Sequence, residues 1–151
     1  MTHPLSLPAW RRALAVALFV LPGPAAAHEY YTESLQIIHP WTHTAPAGTR
    51  TAGLYMRIVD ISADDRLLSA ETEIAEKVEL RIPPRPDAGP DVRAPAGIEL
   101  HAGRELSLSP FTAHLVLQGV KTELHRGRQY PLLLVFEKSG EVLVDFVIGA
   151  H

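Results

Sequence analysis

The stretch Glu76-Lys77-Val78-Glu79-Leu80-Arg81-Ile82 decides the fold. Val78, Leu80 and Ile82 alternate with Lys77, Glu79 and Arg81. A period of two puts successive side chains on opposite faces of a strand. The apolar set is expected to face a core, with Lys77, Glu79 and Arg81 turned outward. The same alternation recurs on both sides. Ala52, Leu54, Met56 and Ile58 oppose Tyr55 and Arg57, and Val142, Val144, Phe146 and Ile148 close the chain on one face. Shorter strand candidates are Leu35–Ile38, Arg66–Ala70, Ile98–Leu100, Glu105–Leu108 and Ala113–Leu117. Tyr130–Phe136 is apolar on both faces and reads as central. Glu71–Lys77 admits a helical turn. Pro40, Pro46 and Gly48 predict an irregular loop after the first strand. The proline-rich run from Pro83 to Pro90 is unsuited to a sheet interior. Many short strands between turn signals predict an all-β sandwich.

Residues 1–27 carry a different signal. Arg11-Arg12 precedes the apolar run Ala13–Leu21, Pro22-Gly23-Pro24 breaks it, and Ala25-Ala26-Ala27 supplies small residues for cleavage. That is the order of a secretory signal peptide, and the run is too short for a permanent membrane span. The domain is then expected over 28–151, with His28 as its first residue and with no membrane anchor after processing. Cleavage removes two Arg and no acid, so 14 basic and 17 acidic residues become 12 and 17, a formal charge of −5. No basic cluster invites nucleic acid or a membrane surface. There is no cysteine. A chain bound for an oxidising compartment therefore relies on its hydrophobic core, and thiolate chemistry is excluded.

Spacing supplies the functional hint. Ten residues separate Arg81 from Val92, twenty-one separate Val92 from His114, and one separates His114 from Val116. This resembles the H-x10-M-x21-H-x-M motif of the periplasmic copper chaperones of the PCu(A)C family, in which two His and two Met bind Cu(I). Further pieces match in order. His39-Pro40-Trp41 with Pro46-Ala47-Gly48, Gly53-Leu54-Tyr55, Asp65-Arg66-Leu67, and Leu124, Gly127 and Pro131 leading to Leu132–Glu137 all resemble family segments. The resemblance implies a cupredoxin-like, Ig-like β-sandwich, periplasmic copper handling, and delivery to a copper acceptor protein.

Only His114 retains a family ligand; Arg81, Val92 and Val116 stand at the other three positions. Cu(I) favours thioether, thiolate and imidazole donors, and a guanidinium offers no lone pair. Met56, the one methionine after residue 27, lies on the apolar side of its strand and reads as core. Nitrogen is then the remaining donor. A terminal His28 would present an α-amine and an imidazole together, a set suited to Cu(II) or Zn(II), with His39 or His43 as further ligands. The alternatives are surface histidines and a metal-free interaction module on the same fold. His101, His125 and His151 read as turn or solvated positions. No nucleophile elbow, HExxH or phosphate-cradling loop is present, so a non-enzyme is expected.

Overall fold

The computed structural model describes residues 29–83 and 92–149. Residues 1–28, 84–91 and 150–151 lie outside these. With them lie the proposed signal peptide, His28, His151 and most of the proline-rich run.

The described residues form strands and turns, with no helix among them. The strands are β1 (Glu29–Tyr31), β2 (Gln36–Thr42), β3 (Thr51–Val59), β4 (Asp65–Glu71), β5 (Ala75–Ile82), β6 (Val92–Arg93), β7 (Ile98–Leu100), β8 (Leu106–Leu108), β9 (His114–Val120), β10 (Gln129–Phe136) and β11 (Gly140–Ile148). They make one curled sheet in the order β6-β5-β9-β3-β2-β11-β10-β4-β7. β1 adds to β2, and β8 shares the edge of β3 with β9. The pairings are antiparallel except β11 with β2. The fold is the all-β sandwich that the alternation predicts, of the cupredoxin-like or Ig-like kind that the family resemblance implies.

Alternation explains the core. Leu54, Met56 and Ile58 of β3, Leu115 and Leu117 of β9, Leu132, Leu134 and Phe136 of β10, and Val144, Phe146 and Ile148 of β11 are all buried. Each fully buried Leu, Ile or Phe contributes about 1.5–3 kcal/mol of transfer free energy. Met56 is among them, on the core side of β3. Asp65 ties the ends of β4, β10 and β11. Its carboxylate accepts from the Arg66, Lys138 and Ser139 amides and from the Ser139 hydroxyl. Burial opposes its ionisation, and these four donors outweigh burial and hold the carboxyl below its ordinary value.

Two sequence expectations change, and one strand is added. β2 does not stop at Ile38 but runs through Pro40 to Thr42, because a bulge between Ile38 and Trp41 absorbs the proline. A residue without an N–H fits where the ladder is already broken. His39 sits in this bulge with φ of 53°. No helical turn forms within Glu71–Lys77. A tight turn at Thr72–Ile74 leads straight into β5, whose apolar period of two prevails. Val92-Arg93, unassigned from sequence, forms the short β6.

Candidate functional site

The strand registers gather the candidate residues on one outer face. Trp41 opposes Tyr55, Gly53 opposes Val116, and Glu79 opposes Val116 from the other side. Arg81 opposes both His114 and Arg93. Residues directly opposite share a face. One surface therefore carries Trp41 and His43 of the β2 end, Gly53 and Tyr55 of β3, His114 and Val116 of β9, Glu79 and Arg81 of β5, and Arg93 of β6. Leu54, Leu80 and Leu115 lie on the reverse, in the core.

Half of this face is an aromatic row. Trp41 meets His43 edge-on at 4.8 Å and Tyr55 at 4.9 Å, and Tyr55 lies 6.3 Å from the His114 ring. Tyr55 folds back over Gly53, where an added Cβ would overlap the phenol. Glycine is needed there for this close approach. Burial raises the Tyr55 pKa, so the phenol stays neutral and is a poor metal donor.

The other half is a charge cluster centred on Glu79, whose side chain is 4% exposed. Lys77 Nζ and Arg93 Nη2 donate to Oε1 at 3.0 and 2.9 Å. Arg81 donates to Oε2 from Nη2 at 2.5 Å and from Nε at 3.1 Å, and Gln118 Nε2 reaches the same oxygen at 3.4 Å. Burial disfavours the charged carboxylate, but the Lys77, Arg81 and Arg93 cations outweigh burial and bring its pKa down to about 2. Glu79 points away from the core, as the alternation predicts. It belongs to the outward set of β5 but is buried beneath its own cations.

The sequence-derived ligand positions fare unequally. His114 is buried and its Nδ1 lies 2.9 Å from the Thr112 carbonyl. A carbonyl only accepts, so Nδ1 bears the proton and any metal would bind through Nε2. Val116 shares the His114 face. Val92 does not. It pairs with Ile82 and faces the other way, while Arg93 stands beside Arg81. The strand registers therefore bring Arg81, His114 and Val116 together with Arg93, and not Val92, to one place. One imidazole among two guanidiniums and a valine does not fit Cu(I), whose donors must be soft and uncharged by protonation. His39 lies in the β2 bulge and His43 at the exposed end of the aromatic row. No group of three His, Cys, Asp or Glu able to hold a metal occurs among the described residues. The Glu79 network escaped sequence reasoning. Its local signal was Lys77-Glu79-Arg81 at strand spacing of two; the Arg93 partner is set only by the β5–β6 register.

Similarity to known proteins bears on this face. Residues 35–148 match the LpqE-like family, described as "Putative lipoprotein LpqE-like". Among solved structures, the copper-bound PCuAC domain from PmoF2 is 28% identical, with 82% of this chain and 99% of that one covered at a TM-score of 0.70. The apo PCuAC domain from PmoF1 is 27% identical over 82% of this chain and 100% of that one, at 0.69. CuI-DR1885 from Deinococcus radiodurans shares the fold at 18% identity, 82% coverage of each chain and a TM-score of 0.62. No curated protein sequence matches the chain. The chain belongs to the LpqE-like family, and its domain is of the PCuAC copper-chaperone type.

Proposed function

We propose that this chain is a secreted, periplasmic copper-handling domain that carries copper through nitrogen ligands at its N-terminal edge, in place of the Cu(I) quartet. The signal-peptide pattern of residues 1–27 supports export, with His28 first in the mature chain. The similar PmoF2 domain is copper-bound, which supports copper as the cargo. A copper acceptor protein is the matching partner.

One observation carries the choice of ligands. β1 enters the sheet at Glu29, and Glu29 pairs with Ile38, the residue just before His39. A mature chain beginning at His28 therefore starts one residue from the point where β1 is registered beside the His39 bulge. We assign the metal to the α-amine and imidazole of His28, with His39 or His43, a nitrogen set that suits Cu(II) or Zn(II). Binding requires deprotonated nitrogens, so affinity falls as pH drops below about 8 for the amine and about 6.5 for the imidazole.

The test is a Cu(II) titration of protein starting at His28 against protein with one extra residue before it. Extension removes the amine from the chelate and should weaken binding strongly. Equal affinities would reject the site. A second reading, a metal-free interaction module, draws on the Glu79 network, which fills the quartet position with cations. It becomes the better account if neither protein binds copper.

A further inference from the structure

The face that departs from the metal quartet has the properties of a docking surface. Lys77, Arg81 and Arg93 surround one carboxylate, giving a local formal charge of +2 in a chain whose formal net charge is −3. The Lys77 and Arg93 side chains are 57% and 67% exposed. Glu79 fixes their directions, so little side-chain freedom remains to be lost when a partner binds.

An apolar element stands at the same end of the sheet. The loop Ser109–Ala113 leads directly into His114, the cross-strand partner of Arg81. The Thr112 hydroxyl donates to Ser107 O at 2.7 Å and accepts from the Ser109 amide at 3.0 Å, tying the loop down. Phe111 projects from this tied loop and is 89% exposed. An exposed aromatic on the loop that leads into the cross-strand partner of Arg81, together with oriented arginines, supplies residue types enriched in protein–protein interfaces.

We propose that Lys77, Arg93 and Phe111 form a binding surface for an acidic segment of a partner protein that also offers an apolar side chain or pocket. Charge complementarity selects the partner's acidic character, and Phe111 selects its apolar component. An anionic membrane is the weaker match, since lipid recognition uses clusters of roughly four to eight basic residues. This surface is independent of the N-terminal copper ligands, and the two proposals succeed or fail separately.

The test uses mature protein and two fluorescent probe peptides, an octaglutamate and a (Glu-Glu-Leu)3 peptide, followed by anisotropy at low and high salt. Both should bind at low salt, the leucine-bearing one more tightly. Lys77→Gln with Arg93→Gln should weaken both about tenfold at low salt, and salt should shrink that difference. Phe111→Ser should weaken only the leucine-bearing peptide. Arg126→Gln with Arg128→Gln, in the segment beyond the far end of β9, should change neither. Glutamine keeps the hydrogen-bonding capacity around Glu79, and unfolding midpoints confirm that each variant is folded. Equal loss from the Arg126/Arg128 control would overturn the proposal, as would peptide binding insensitive to Lys77 and Arg93. So would binding to phosphatidylglycerol vesicles without binding to either peptide. Displacement by inorganic phosphate beyond the effect of ionic strength would make the cluster a small-anion site. A dimer lost in the Lys77/Arg93 variant would make the partner a second copy. Either result also overturns it.

Discussion

Glu79→Gln separates charge from shape at the centre of the altered face. The substitution keeps size and a hydrogen-bonding carbonyl while removing the charge that holds Lys77, Arg81 and Arg93. In the folded chain the Glu79 carboxyl titrates at about 2, below the ordinary value of 4.5. At about 1.4 kcal/mol per pH unit, this corresponds to about 3 kcal/mol of stability at neutral pH. That figure is an upper one, because Lys77 and Arg93 stand largely in water and screening reduces their share. The sign follows from proton binding. The unfolded carboxyl takes up its proton at higher pH than the folded one. The contribution is therefore complete above about pH 5 and disappears as pH falls from 4.5 towards 2. Urea unfolding of native and Glu79→Gln protein between pH 7 and pH 2.5 measures it. The variant should be less stable at pH 7 by up to about 3 kcal/mol, with the gap closing towards pH 2. The difference between the two proteins matters, since Asp65 and Glu105 are also held below their ordinary values and titrate in both. A gap independent of pH, or a more stable variant, would refute the view that Glu79 binds its three cations productively.

The remaining predictions concern geometry. Arg81→His with Arg93→Met and Val116→Met should create Cu(I) affinity with His114, whereas the same set with Val92→Met in place of Arg93→Met should not, because Val92 faces the Ile82 side; competition with a Cu(I) chelator distinguishes them. Asp65→Ala leaves three backbone amides without their acceptor and should cost about 3 kcal/mol in urea unfolding, consistent with about 1–3 kcal/mol per buried unsatisfied group after partial access of water. Gly53→Ala should push Tyr55 off β3 and alter Trp41 fluorescence, since Trp41 packs against Tyr55.

The strands were legible wherever one face is dry. In β11 burial follows the period of two; in β3 and β5 it holds for Leu54, Met56, Ile58, Val78 and Leu80, while Tyr55 and Glu79 of the other face are buried too and Ile82, expected to face the core, is 38% exposed. It failed where chain geometry overrides pattern. Pro40 suggests a strand end, yet the positive φ of His39 makes a bulge that carries β2 through the proline. The site was half legible. His114 and Val116 follow from alternation within one strand. Arg93 does not, because its place depends on how β6 registers on β5 after residues 84–91. The burial of Glu79 was not legible, because alternation gives the direction of a side chain and not what covers it. Three long cations from its own face and from a neighbouring strand bury it.

If copper is held by nitrogens at the N-terminal edge and not at the quartet positions, the Cu(II) complex should respond to changes at that edge alone. Electron paramagnetic resonance of the Cu(II) complex of protein beginning at His28 tests this most directly, read alongside His39→Ala, His43→Ala, His114→Ala and the one-residue N-terminal extension. Nitrogen hyperfine structure should change on extension and on loss of His39 or His43, and should be unaffected by His114→Ala. A spectrum unchanged by extension but abolished by His114→Ala would contradict this assignment and return the metal to the face that Arg81 and Arg93 occupy.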